Sequence, residues 1–502
     1  MPATLANTVA STLEPSDNPY LGGAWRPSFN EWNAAFANGE AEVIGTIPAD
    51  LAGVYVRSGE NQVHQPIGRY HPFDGDGLLH SVSFKDGRAT YRSRFVRTAG
   101  FEAEAAEGRA LWAGLMEPPS RSTRPGWGAQ GSLKDSSSTD VTVHAGQVIS
   151  TFYQCGEGYR LDPFTLDPLG RDGWVPPDGI SAHCKTDEAT GELLFFNYSK
   201  RAPYMHYGVV GADNALKHYV PIALPGPRLP HDMAFTPNWS ILNDLPLYWS
   251  PELLERNIHA VQFHPDEKSR FALIPRFGGP DEIRWFEAAP TYVLHWLNAF
   301  EDGDEVVLDG FFQEEPMPAS RADAPPGYAR MMAYLDQDLL RPRLHRWRFN
   351  LATGQTREER LDQRTLEFGT INAAYAGKPY RYAYTAIPEP GWFLFRGLCK
   401  HDFASGTSED YLFGEQRFGS EAAFAPRVGA PRIGMGAEDD GYLVTLVSDV
   451  AADTSECVIL DARNIAAGPV CRIVLPERIC AGTHATWANG DGIGMRANPL
   501  IE

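Results

Sequence analysis

Of the 14 histidines in this chain of 502 residues, four stand in distinctive settings. They are His183 in ISAHCKTDEATGELLFF, His231 in LPHDMAFTPNWSIL, His295 in TYVLHWLNAFEDGDEVVLDG and His484 in AGTHATW. Each lies at or near the end of an apolar, strand-like run. Imidazole is the commonest side-chain ligand for a transition metal, and rings carried on the ends of several radiating strands would surround a common axis. The intervals of 48, 64 and 189 residues between them match no local zinc-binding pattern, so any such site is assembled by the fold. The other histidines, His64, His71, His80, His144, His206, His218, His259, His264, His345 and His401, read as hairpin-turn, loop or surface residues. Asp232, beside His231, reads as a turn or capping residue.

The elements that must position these rings are strands. GLLHSVSF and RATYRSRFV flank a KDG turn, and VTVHA and VISTFYQ flank a Gly-Gln turn. The same alternation of β-branched and aromatic residues between Gly, Pro and Asp returns at GELLFFNYS, RYAYTAIPEPGWFLFRGL and DGYLVTLVSDVAADTSECVILDA. Helix-like patches are short, at 101–116 and at 250–258, the second with Ser250 before Pro251 as a capped start. Residues 1–40 read as irregular, and 41–502 as one domain without a Ser- or Gly-rich linker. So many hairpins fit a closed propeller or a pair of sandwiches, and closure removes exposed edges. The Pro-rich stretches 117–125 and 315–328 read as long functional loops.

Composition narrows the function. Lys and Arg total 44 against 64 Asp and Glu, a formal charge of −20, which opposes a nucleic-acid surface and offers no polybasic membrane anchor. The six cysteines form no C-x-x-C pair and are too few for a disulfide scaffold. With no secretory signal or apolar run of about 18 residues, a cytoplasmic location is expected. Oligomeric state is not legible, and weak peripheral membrane contact through a patch in 101–130 stays open.

IGTIPADLAGVYVRSGEN at 44–61, HPFDGDGLLHSVSF at 71–84, the four histidine segments and the terminal HATW occur in the order in which they occur in the carotenoid cleavage oxygenase family. The chain resembles that family of non-haem iron enzymes, which includes stilbene and isoeugenol cleavers, over most of its length. The resemblance implies a seven-bladed β-propeller with a dome of loops and short helices. It implies Fe(II) held by His183, His231, His295 and His484, O₂ as co-substrate, and no organic cofactor. An all-histidine site leaves iron with its full formal charge of +2, unlike the common site of two histidines and a carboxylate.

Ligating imidazoles usually donate their second N–H to a carboxylate. Family position implies Glu367 and Glu438 for this role, and Gln154 where a third glutamate is expected, with Glu157 as its possible substitute. For the substrate, Lys134 in SLKDSSSTDV matches the lysine that holds a 4-hydroxyl in stilbene-cleaving relatives, whereas Phe101 stands where they carry tyrosine. Phe73, Tyr292, Trp239 and Trp296 are aromatic candidates for the pocket wall. The reading is therefore cleavage of a conjugated C=C bond of a stilbenoid or phenylpropenoid into two carbonyl compounds, with an apocarotenoid as the alternative. A non-catalytic propeller scaffold predicts no bound iron, and a metal hydrolase would use carboxylate ligands.

Overall fold

Tight turns in the left-handed region of backbone space set the architecture. Asp86 and Gly87 (φ 50° and 71°) join strand Asp76–Lys85 to Arg88–Phe95, and Ala145 and Gly146 (φ 48° and 77°) join Asp140–His144 to Gln147–Thr151. Such turns continue the right-handed twist of the strands they connect. The computed structural model describes residues 3–124, 133–256, 260–429, 437–490 and 493, and within them this hairpin unit recurs around a seven-bladed β-propeller.

Each blade runs outward from an innermost strand. These are Ala485–Asn489 in the first blade, Asp140–His144 in the second, Lys185–Asp187 in the third and Ala234–Phe235 in the fourth. Trp296–Asp302, Glu367–Thr370 and Ala423–Pro426 serve the fifth, sixth and seventh. Middle strands such as Glu305–Gln313 and Gly441–Asp449 are buried almost throughout, because neighbouring blades cover both faces. Outermost strands such as Thr356–Arg360 (TREER) are exposed and charged, which keeps these edges from pairing with other chains.

The ring closes by joining distant parts of the chain. Ala485–Asn489 pairs antiparallel with Gly53–Arg57, and Pro469–Val474 pairs with Val43–Gly45. The core consists of apolar layers between blades, including one in which Tyr55, Val82 and Phe84 of the first blade meet Leu446, Ile459 and Ile473 of the seventh. Residues 3–40 are not irregular throughout: Thr4–Thr8 and Asn30–Ala37 extend the first blade through Arg88–Phe95. The signal is the alternation in NEWNAAFA, which buries Ala34 and Phe36 and exposes Asn33 and Ala35.

Helices are short. Ala99–Glu107 starts at a Thr98 cap and stops at left-handed Gly108, and Pro251–Glu255 is capped by Ser250. Ala329–Leu335 and Gln337–Leu340, which the sequence reading did not anticipate, follow the Pro-rich stretch, and Met331 and Leu335 pack in one cluster with Phe368 and Phe393. Among the described residues no helix is long and apolar enough to cross a membrane. His259, residues 257–258 of the second helix-like patch and residues 125–130 of the candidate docking segment lie outside the described residues.

Gly53 carries the closure. Its φ is +156°, and a Cβ there would meet the Trp487 ring at 2.3 Å and the Ala488 carbonyl oxygen at 2.5 Å. Gly53→Ala is therefore expected to lower the thermal midpoint by several degrees, a loss of about 2 kcal/mol or more. Circular dichroism on heating measures it; an unchanged midpoint would mean that the closing strand accommodates the methyl group.

Candidate metal centre

The same position in each blade, the entry to its innermost strand, supplies the centre. His295 and His484 directly precede Trp296–Asp302 and Ala485–Asn489. His183 and His231 lie just before Lys185–Asp187 and Ala234–Phe235. The three remaining blades place acids at this position: Asp140 and Glu367 open their strands, and Glu421 comes just before Ala423–Pro426. Each inner strand begins at the axis, so widely separated residues converge without any local motif.

The four imidazoles meet. Their ligand atoms lie within 4.8 Å of one another, and ring centroids are 4.5 Å apart for His183 and His484 and 5.2 Å for His231 and His295. His295 Nδ1 donates to Glu367 Oε2 at 2.7 Å and His484 Nδ1 to Glu421 Oε2 at 3.1 Å, and His183 Nδ1 lies 3.1 Å from Asp140 Oδ2. Each acid also receives a backbone N–H, from Phe368, Ala485 and His183 respectively. His183 has a left-handed backbone (φ 62°), uncommon outside glycine. Nε2 of His183 and of His295 is buried without a hydrogen-bond partner. Buried donors and acceptors are nearly always satisfied, so nitrogen atoms left free inside a four-imidazole cluster fit a metal ion.

Protonation agrees with that fit. Burial, followed by the nearby imidazoles, holds His183, His231 and His295 well below the usual histidine range, so these rings are neutral at neutral pH, the form in which imidazole binds a metal. Burial would lower His484 too, but its bond to Glu421 and that residue's charge hold it above its usual range. Burial also pushes the Glu367 carboxyl up to about 8, and a cation among the rings would favour its ionised form.

Two carboxylate expectations are corrected. Glu438 precedes the second strand of the seventh blade, not the innermost, and accepts the backbone N–H groups of Arg381 and Tyr382 at 2.8–3.0 Å; Glu421 takes the imidazole. Gln154 follows the second strand of its blade, and its side chain lies by the Tyr153 hydroxyl; Asp140 meets His183 instead. Glu157 accepts from the Tyr159 hydroxyl and pairs with Arg171.

Asp232 does more than cap a turn. Its carboxylate accepts the N–H groups of Met233 (2.7 Å) and Trp296 (2.8 Å) and pairs with Lys185 at 2.7 Å. It thereby ties the segments of His231, His295 and His183 together. Its burial raises the carboxyl, against the pull of Lys185. Asp140, Lys185, Asp232 and Glu421 line a cavity of about 700 Å³ that reaches the cluster.

A second cavity, of about 40 Å³, touches His231, His295 and His484. Phe73, Leu294, Phe368 and Phe393 form its apolar wall. Phe73 also lines a cavity of about 30 Å³ that contains Lys134. Lys134 is buried and pairs with Asp76 at 2.8 Å and Glu104 at 2.7 Å; burial would lower its pKa, but these two acids raise it. Phe101 does not line that cavity. It stacks on Phe95 (5.3 Å) in a core cluster, and Glu104, one turn along the same helix, faces Lys134. Tyr292 is likewise core, with its hydroxyl bonded to the Leu229 carbonyl at 2.8 Å. Trp296 is buried in the same cluster, with Trp239 packed against it.

The remaining histidines are less superficial than their sequence contexts indicate. His80 is buried in a strand beside the Tyr91 hydroxyl, and His345 and His401 are buried in strands of the fifth and sixth blades. None of the described ones joins the cluster.

The family model described as retinal pigment epithelial membrane protein matches residues 26–489. A carotenoid 9,10(9′,10′)-cleavage dioxygenase of Pisum sativum is 31% identical over 91% of this chain and 87% of its own. An isoeugenol monooxygenase of Pseudomonas putida is 31% identical over 94% of this chain and 98% of its own. The crystal structure of lignostilbene dioxygenase from Pseudomonas brassicacearum superposes with a TM-score of 0.81 at 26% identity, covering 95% of this chain and all of that one.

Removing a carboxylate behind a metal-binding histidine typically weakens metal binding about 10- to 100-fold. Asp140→Asn is therefore expected to weaken Fe(II) binding about tenfold in an anaerobic titration, whereas Gln154→Ala stays within about twofold of the parent. The reverse order would return the role to Gln154.

Proposed function

Because the chain belongs to the carotenoid cleavage oxygenase family and is a double-bond-cleaving oxygenase, we propose that it binds Fe(II) through His183, His231, His295 and His484. We further propose that it splits the C=C bond of a stilbenoid or phenylpropenoid with O₂ into two carbonyl products. The observation that carries this reading is the cluster of four imidazoles, three of them buried and backed by carboxylates. When bound, Fe(II) supplies the one-electron chemistry that lets dioxygen react with an alkene.

The chain's own residues do the rest. Asp140, Glu367 and Glu421 fix the tautomer of three rings so that each presents Nε2 inward. Phe368 and Phe393 keep water from the alkene, and Phe73 stands between the cavity at the histidines and the one at Lys134. A two-ring substrate reaching from the histidines toward Lys134 has to displace Phe73, which lines both cavities. At the far end Lys134 is already paired with two carboxylates, so the group carries an excess negative charge. It favours a neutral phenol that donates to Asp76 or Glu104 over a phenolate, which those acids repel.

The lignostilbene and isoeugenol enzymes among the relatives support a phenolic aryl alkene. Identity to the plant carotenoid dioxygenase over nine-tenths of the chain favours the second reading, an apocarotenoid or carotenoid.

The test is to load the protein anaerobically with Fe(II), offer 4-hydroxystilbene, isoeugenol and an apocarotenal, and follow oxygen uptake and products by mass. The expected result is aldehyde formation from an aryl alkene, with activity below about 1% after alanine replacement of any of the four histidines and unchanged in His264→Ala. Turnover of the apocarotenal alone would overturn the substrate reading, and normal iron content in two of the four alanine variants would overturn the site.

A further inference from the structure

Among the described residues Glu60 is the one acid lining the smaller cavity at the histidines, and no step above uses it. It lies on the two-residue strand Glu60–Asn61, which pairs with Asp76–Lys85 in the first blade. Only 2% of the residue is exposed. Oε1 accepts the Thr483 hydroxyl at 3.2 Å, while Oε2 is buried with no hydrogen-bond partner. Tyr153 lines the same cavity, and its hydroxyl is buried with the Gln154 side chain beside it.

An unpaired carboxylate oxygen against an apolar wall is costly unless a ligand meets it. Glu60 and Tyr153 are complementary in type: a carboxylate oxygen accepts, and a phenol can donate. Glu60 does not belong to the ligand cluster, whose mutually close atoms are those of the four histidines. A hydrocarbon chain passing this point would leave Glu60 Oε2 unpaired, whereas a hydroxyl can donate to it and accept from the Tyr153 phenol.

We propose that Glu60 and Tyr153 form a subsite for a hydroxyl group on the part of the substrate beside the metal. That hydroxyl donates to Glu60 Oε2 and accepts from Tyr153 Oη. The inference rests on the oxygenase reading above and narrows its substrate to an alkene hydroxylated on the fragment remote from Lys134.

The experiment uses Fe(II)-loaded full-length protein and 4-hydroxystilbenes that carry a second hydroxyl at the ortho, meta or para position of the other ring. The parent protein is expected to prefer one isomer over 4-hydroxystilbene by about tenfold in kcat/KM. Glu60→Gln and Tyr153→Phe should each reduce that preference severalfold with iron content unchanged, and Glu60→Leu should abolish it. A preference that survives in both Glu60 variants, or a parent protein that turns over 4-hydroxystilbene without preferring any isomer, would overturn the subsite and leave a buried water as the partner of Glu60. An iron-loaded parent protein that turns over none of these compounds would instead overturn the substrate reading on which the subsite rests.

Discussion

Placing four imidazoles, three of them buried, with their ligand atoms within 4.8 Å of one another is the constraint that the rest of the centre satisfies. Each ring has two nitrogen atoms to pair, and little water can reach them. Glu367, Glu421 and Asp140 take Nδ1 of His295, His484 and His183. That leaves Nε2 toward the middle, where two of these nitrogens have no partner. The propeller makes this possible because the entry to every innermost strand points at the axis. Four blades put histidine there and three put an acid, so ligands and their supports share one structural position.

Charge follows the same logic. Asp140, Asp232, Glu367 and Glu421 surround the rings, and Lys185 pairs with Asp232. Burial pushes Glu367 up to about 8 and, against burial, the neighbouring acids hold His484 above its usual range, whereas a divalent cation among the rings favours ionised carboxylates and a neutral His484. The Lys134 group repeats the pattern on a smaller scale, with two acids to one lysine. Both groups lie next to apolar chambers, where an ion without its counter-charge is expensive to bury. Asp232 also has a mechanical role, since its two oxygens reach three of the four ligand segments. A small shift of one blade is thereby resisted by its neighbours.

The strands and hairpins were legible because alternation and turn residues are local signals, as at Asp86–Gly87. The four histidines were legible through their flanking segments. Their supports were less so. Glu367, Glu438 and Gln154 were all placed by family position, but only Glu367 opens an innermost strand, while Glu438 precedes and Gln154 follows a second strand. Glu421 and Asp140 could have been found by asking which residue opens the innermost strand of each blade lacking a ligand histidine: FGSEAAF and STDVTVH hold the answers. Phe101 and Tyr292 misled for another reason. An aromatic residue near a site in sequence can turn either way, and packing against Phe95 or a bond to Leu229 settles the direction only in three dimensions. The strand character of residues 30–37 was visible in the alternation but masked by the polar, Pro-containing sequence before it.

The central claim is that four histidines, and no carboxylate, hold one iron. X-ray absorption at the iron edge of the anaerobically loaded protein tests it most directly. The account predicts one iron per chain with the scattering pattern of four imidazole rings, falling to three in His484→Ala. Two imidazoles with a carboxylate oxygen, or a spectrum unaltered by loss of His484, would contradict it.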